Sequence, residues 1–270
     1  MTMDKFYDQA LAAQLLDVFI LERSTSNNLQ CFNFSEDSAN QLSIETQGKL
    51  AKLVNNAGTS DMEEASVGLQ GIVAQVSLPP FADNTGQSHQ RLSQLCQGVT
   101  ITGLSSTNFV TMMDKLRHAH SLFSRFTPGG RLRSPEFIST QDFESRNGTV
   151  NFPTISTGNR FFTPSHLAAG LQPTAVTKDI DPSGVLKKAD SRRLIHTEDN
   201  EVKYYIMSKS NDKIKYIPTS PIIFQVGDIV EIQVLLVSFP ITVRATSRWP
   251  HSASLAEGES KEMNKTSYNT

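Results

Sequence analysis

The chain has 270 residues and a formal net charge of −2, long enough for one large domain or two small ones to bury a core without a disulfide or metal staple. Near-neutral charge excludes whole-molecule attraction to polyanions or anionic membranes, so any such contact needs a local patch. Charged residues make up 19%, below the usual ~25%, and the Ser, Thr, Asn and Gln in their place predict long polar loops with some disorder.

Cys31 and Cys96 are the only cysteines and form no C-x-x-C pair. That excludes a disulfide framework or zinc knuckle and leaves two buried, reduced thiols as the expectation. Asp4, Asp8 and Asp17 interrupt any signal-peptide core, and no apolar run approaches the ~20 residues of a membrane span. A soluble cytoplasmic or nuclear chain, without membrane contact, is expected.

In chain order, Met3 to Glu22 places Tyr7, Leu11, Leu15 and Val18 on one stripe of a helix whose start is rich in acids. Ser43 to Val54 repeats a weaker helical pattern through Ile44, Leu50 and Val54, interrupted by Gly48. Val67 to Val76 and Val99 to Thr102 read as short strands, the first closed by Pro79-Pro80. The strongest helix spans Thr107 to Phe126, with Phe109, Met112, Met113, Leu116, Ala119, His120 and Phe123 on one broad face. Ser105, Ser106 or Thr107 serves as its N-cap, and Pro128-Gly129-Gly130 stops it.

From Phe137 to Gly184 the composition of Thr, Ser, Pro, Gly and Asn reads as an irregular connection pinned by Phe143, Phe152, Phe161 and Phe162. The period then becomes two, and Val202 to Met207, Ile214 to Ile217 and Ile229 to Phe239 read as strands. Ser210-Asn211-Asp212 supplies a hairpin turn, and Gly227-Asp228 a tight re-entry into the last strand. Beyond Arg244 a polar stretch around Trp249 reads as a disordered tail.

The expected fold is thus α+β: a helix-rich N-terminal part (1–147), an irregular connection (148–180), a small antiparallel β-sheet or partly open barrel module (181–243) and a tail (244–270).

Asp181-Pro182-Ser183-Gly184, Ile195-His196-Thr197-Glu198-Asp199-Asn200 with Tyr204-Tyr205, and Phe224-Gln225-Val226-Gly227-Asp228-Ile229-Val230-Glu231 stand in that order. The region from Asp181 to Phe239 resembles a C-terminal segment of many predicted proteins of mushroom-forming fungi. That family has no assigned activity, so the resemblance implies kinship without a mechanism. The present chain departs from the family after Pro240, where Thr242, Arg244, Thr246 and Ser247 stand in place of a further apolar strand.

His196, Glu198 and Asp199 form the densest titratable cluster beside a strand, a set that can bind a divalent metal or relay a proton. No second H-x-E or H-x-x-x-H supplies further ligands, so a polar turn is the favoured reading, with His196 bonded to nearby backbone or to Tyr204. His118 and His120, two apart on a helix at about 100° per residue, point away from each other and cannot share an ion. No G-x-x-x-x-G-K-[ST], strand-linked G-x-G-x-x-G or G-x-S-x-G pattern occurs, which argues against nucleotide or serine-hydrolase chemistry.

Basic residues gather at Lys115, Arg117, Arg125, Arg131 and Arg133, and again at Lys187, Lys188, Arg192 and Arg193. Arg131, Arg133, Lys187, Lys188, Arg192 and Arg193 are the candidates for phosphate contact, with Tyr204, Tyr205 and Tyr216 as stacking faces. The expectation is a non-catalytic binding or scaffold protein without a cofactor, its partner a protein or a nucleic-acid backbone. A metal-assisted hydrolase centred on His196, Glu198 and Asp199 is the alternative.

Overall fold

The structure is a computed structural model that describes residues 3–4, 6–35, 42–47, 50–56, 63–81, 95–126, 137–145, 148–168, 170–184, 186–187, 193–210, 213–238 and 260–266. Helix α1 (Gln9–Ser24) is capped by Asp8, whose side chain accepts from the Leu11 N–H. It buries Ala12, Ala13, Leu16, Phe19, Ile20 and Arg23. The stripe expected from spacing lies elsewhere, with Leu11 51% and Val18 59% exposed. This helix is apolar on nearly every side, so periodicity alone does not choose its inner face. Two alanines that permit close approach and the distant partner of Arg23 make the choice.

Helix α2 (Thr107–Phe126) buries Phe109, Met112, Met113, Leu116, Ala119 and Phe123, the face that the spacing predicts. Ser106 caps it by accepting from the Phe109 N–H, and Ser106 Oγ in turn donates to Asp17 Oδ1. The Asn108 N–H donates to the same oxygen. A carboxylate from α1 therefore sits at the N-terminus of α2, where the helix dipole favours negative charge. No helix among the described residues is long and apolar enough to cross a membrane.

The expected helix-rich N-terminal part with a small sheet is incorrect, because the protein is mostly β: two long helices stand among fourteen strands in the described residues. Ser43 to Val54 is two strands, β1 (Leu42–Gln47) and β2 (Leu50–Asn55), paired antiparallel from Leu42↔Asn55 to Gln47↔Leu50. Ile44 and Val54 fit either period, and side-by-side pairing settled the ambiguity. Strands β3 (Glu63–Glu64), β4 (Ser66–Ser77) and β5 (Cys96–Thr102) follow, the last two where strands were expected.

The stretch read as an irregular connection begins with the longest strand. β6 (Ile138–Ser145) and β7 (Gly148–Arg160) form an antiparallel pair, followed by the short β8 (Thr163–Pro164). Hydroxyl-rich composition misled the sequence reading. Here the hydroxyls bond laterally: Thr100 Oγ1 to Ser156 Oγ at 3.0 Å, Ser139 Oγ to Thr154 Oγ1 at 2.9 Å, and Thr102 Oγ1 to the Pro153 carbonyl at 2.9 Å.

The remaining strands are β9 (Leu194–Ile195), β10 (Lys203–Ser210), β11 (Lys213–Pro218), β12 (Ile229–Leu235), β13 (Val237–Ser238) and β14 (Ser260–Thr266). β14 falls within the expected tail. The turn at Asn211-Asp212 lies outside the described residues, while Ser210↔Lys213 pairing brackets it. Gly227 does adopt a positive φ of 98°, and Asp228 Oδ2 accepts from the Gln225 N–H. A Cβ at Gly227 would stand 2.9 Å from the Tyr7 ring, whose hydroxyl donates to the Gly227 carbonyl.

One eight-stranded sheet runs in the order β11-β10-β14-β12-β4-β5-β7-β6, joining strands from both halves of the chain. A smaller sheet comprises β1, β2, β3 and β13, and β8 pairs with β9. At the centre of the large sheet, every residue of β12 is buried. Alternation sends Gln70 of β4 and Glu231 of β12 to the face that meets α1. Leu69 and Val234, on the opposite face, meet Leu116 of α2, Phe137 and Ile155 around a cavity of only about 10 Å³. A second, separate apolar cluster packs Phe161, Phe162, Leu186 and Leu194 together.

Candidate functional site

The sequence-derived cluster at His196 occupies a turn built by its own backbone. Asn200 closes the Glu198–Asn200 turn as a capping box: its Oδ1 accepts from the Thr197 N–H at 3.0 Å and from Thr197 Oγ1 at 3.0 Å. Thr163 Oγ1 donates to the same oxygen at 3.1 Å. Gln97 of β5 donates to the Asn200 carbonyl at 2.6 Å and accepts from the Tyr204 hydroxyl at 3.1 Å. Asn159 of β7 donates to the Asp199 carbonyl at 2.8 Å.

His196 is 6% exposed and lies stacked on Phe161, with ring centroids 4.8 Å apart, while Phe162 meets it edge-on. Its Nδ1 hydrogen-bonds the Phe161 carbonyl at 2.8 Å, the backbone anchorage expected for it, without Tyr204. Glu198 and Asp199 are exposed. The three side chains thus occupy different environments, one inside an aromatic cage and two in water. Among the described residues no group of three or more His, Cys, Asp and Glu is placed to hold a metal ion.

Sequence reading missed a second buried polar centre. Arg23 of α1 and Glu231 of β12, 208 positions apart, form a two-pronged ion pair at 2.5 and 3.0 Å, 3% and 1% exposed. Gln70 donates to Glu231 Oε2 at 2.9 Å and to Gln30 Oε1 at 2.6 Å, and Gln233 donates to Glu231 Oε1 at 2.9 Å. Each carboxylate oxygen therefore accepts twice. Burial works against the Arg23 charge, yet the hydrogen bonds and charge of Glu231 raise its pKa overall. A Cβ at Gly68 would meet Gln30 Oε1 at 2.3 Å, so any side chain there would displace the amide that Gln70 bonds. The signal in the sequence was Glu231 and Gln233 alternating within an otherwise apolar strand.

Cys31 and Cys96 are not joined in a disulfide. Cys31 is buried and donates to the Met112 carbonyl at 3.5 Å, and burial pushes its thiol pKa up, which suppresses nucleophilicity. Cys96 is half-buried.

Of the phosphate-contact candidates, Lys187 and Arg193 are exposed. The Lys187 N–H donates to Asp181 Oδ2, and the Arg193 carbonyl accepts from Ser165. Arg131, Arg133, Lys188 and Arg192 lie outside the described residues. Arg117 pairs with Asp114 at 2.6 Å. Tyr204 is buried and unavailable for stacking, whereas Tyr205 and Tyr216 meet edge-on at 6.4 Å toward the sheet rim.

That rim is the most accessible patterned surface. Every residue of β11 is exposed, including Ile214, Tyr216 and Ile217. Register places Lys213 and Lys215 on one face of the hairpin beside Ser210 and Ser208, and Ile214 and Tyr216 on the other beside Lys209 and Met207. Lys209 also pairs with Glu22 of α1. No protein-family model, curated protein or solved structure matches this chain.

Proposed function

We propose that the protein is a non-catalytic binding or scaffold protein acting through its surface. The observation that carries this reading is β11, an edge strand exposed at every residue that nevertheless alternates Lys213 and Lys215 with Ile214 and Tyr216 and continues into Ile217. Ile214 and Ile217 are large apolar side chains at a solvated rim, and their place among cations suits a contact surface, while Tyr216 also hydrogen-bonds the buried Arg23. Both buried polar centres point inward, and each ties distant segments of the chain together.

In its most concrete form the activity includes weak, sequence-independent contact with a nucleic-acid backbone, made by Lys187, Lys188, Arg192 and Arg193 together with Arg131 and Arg133. Net charge of −2 keeps that contact weak, since local cations work against the whole-molecule field. Fluorescence anisotropy with two unrelated DNA duplexes across a salt series tests it. The expected slope of log K against log salt is about −2 to −3, equal for both duplexes. Strong preference for one duplex, or no binding at low salt, removes the nucleic-acid form.

A further inference from the structure

The two ends of the eight-stranded sheet are β11 and β6, and they differ in charge. β11 carries Lys213 and Lys215, and β6 carries Asp142 and Glu144, in each case two residues apart and exposed. Side chains two apart on a strand share a face. Following the registers strand by strand fixes which face. Lys215 pairs with Ser208 in a frame where Ile206 aligns with Lys265, Lys265 with Val230 and Ile232 with Leu69. Val73 of the same strand face aligns with Ile101, Ile101 with Ile155, and Ile155 with Ile138, two and four residues before Thr140 and Asp142. The lysine pair and the acid pair therefore lie on the same face of the one sheet.

Their backbones match as well. The Thr219 N–H donates to the Tyr204 carbonyl, so odd-numbered residues of β11 bond inward and the Ile214 N–H and C=O point to the open edge. The Ser156 N–H donates to the Phe137 carbonyl, so in β6 Thr140, Asp142 and Glu144 present their backbone groups outward. Gln9 donates to the Glu144 carbonyl at 3.0 Å, which leaves that oxygen a second lone pair. Counting parallel and antiparallel steps across the sheet shows that β11 and β6 run in the same direction.

We propose that β11 of one copy adds to β6 of a second copy as a parallel edge pair, Lys213 and Lys215 standing beside Asp142 and Glu144. This rests on the reading of the chain as a binding or scaffold protein and names its partner as itself. A parallel pair between opposite edges keeps the sheet face and strand direction of both copies, so the contact is heterologous and repeats. Exposed edges with unused donors and acceptors are templates for strand addition, and opposite charges on the added pair select the partner. Pro218 ends the ladder at β11 because it has no N–H.

Sedimentation velocity of the full chain at low ionic strength, over a concentration series, tests the proposal. The weight-average mass is expected to rise past a dimer without a plateau and to fall when salt screens the charges. Ile214→Pro and Thr140→Pro each remove an outward N–H that no strand among the described residues uses, and edge strands tolerate such a proline. Each variant alone is expected to sediment as a monomer, while their equimolar mixture forms a dimer that grows no further. Lys213→Glu with Lys215→Glu is expected to be monomeric alone and to associate with Asp142→Lys plus Glu144→Lys, a readout independent of the prolines. Circular dichroism melts establish that each variant is folded. A parent monomeric at every concentration, a closed dimer untouched by either proline, or single variants that still self-associate would overturn the proposal. None of these outcomes alters the anisotropy result for nucleic acid, so the two readings fail separately.

Discussion

The two buried polar centres solve one problem with different chemistry. Around Glu231 a full charge pair is held in the interior, Gln70 and Gln233 supply the bonds that water would make, and Gln30 accepts from Gln70. Around Asn200 the groups are neutral, and a side-chain amide and backbone carbonyls accept what Thr163, Thr197, Gln97 and Asn159 donate. The ionic centre ties α1 to a central strand 208 positions away, whereas the neutral one ties a turn to β5 and β7. Buried ion pairs are costly to break because the surviving charge is stranded, and neutral amides lose only their own bonds. The comparison predicts that long-range assembly of the fold is concentrated in the ionic centre.

Breaking that centre should have the largest effect. Glu231→Ala leaves the Arg23 charge at 3% exposure without its counter-charge, with Tyr216 as a remaining hydrogen-bond partner, and is expected to cost about 3–5 kcal/mol in urea unfolding. A loss under about 1 kcal/mol would mean that Arg23 finds water by another route. Replacing both partners, Arg23→Met with Glu231→Leu, should recover most of the loss, since no charge then remains inside.

In the neutral centre, His196→Ala removes a ring stacked on Phe161 and a bond to the Phe161 carbonyl. The expected cost is about 2–3 kcal/mol by thermal melt, less than for Glu231→Ala. Gln97→Ala strips the Asn200 carbonyl and the Tyr204 hydroxyl of their partner, for about 1–2 kcal/mol. Should Gln97→Ala exceed Glu231→Ala, the ranking of charge above amide is reversed.

The smallest effect is confined to alkaline solution. Burial holds the Tyr204 phenol above its ordinary pKa, and Tyr7 is pushed up to about 12 by burial, then by Asp228 and Asp8. A folded-state pKa above the unfolded value of about 10 stabilises fully below that pH and fades as pH climbs through the folded value. Urea midpoints should therefore decline above about pH 10, and Tyr204→Phe should decline less steeply. Equal slopes would place the alkaline loss outside the neutral centre.

Much of the local structure was legible in the sequence. Helix α2 declared its face and its Ser106 cap, and the Gly227-Asp228 re-entry and the strands β10, β11 and β12 followed from alternation. Helix α1 was located but turned the wrong way, because Leu11 and Val18 are as apolar as the Leu16 and Phe19 it buries. Sheet content was underestimated wherever the period was ambiguous, as at Ile44 to Val54, or where polar strands are held by hydroxyl ladders, as in β7. The ionic centre escaped because no local pattern links Arg23 to Glu231. Of the proposed site residues, His196 was read as bonded to nearby backbone or to Tyr204 and bonds the Phe161 carbonyl, while the rim at Lys213 to Ile217 was read only as a strand.

The placement of β14 bears on how the chain assembles in time. Ser260–Thr266 inserts between β10 and β12 and, among the described residues, is the one strand joining the β10–β11 hairpin to the rest of its sheet. During synthesis the hairpin and β12 are complete before β14 emerges, so the edge of β12 that pairs with β14 from Val230 to Val234 waits unpaired. The nascent protein passes through an interval in which its most apolar strand is open along one side, a species prone to aggregation. Chaperone demand should therefore persist from the emergence of β12 until Ser260–Thr266 has cleared the ribosome.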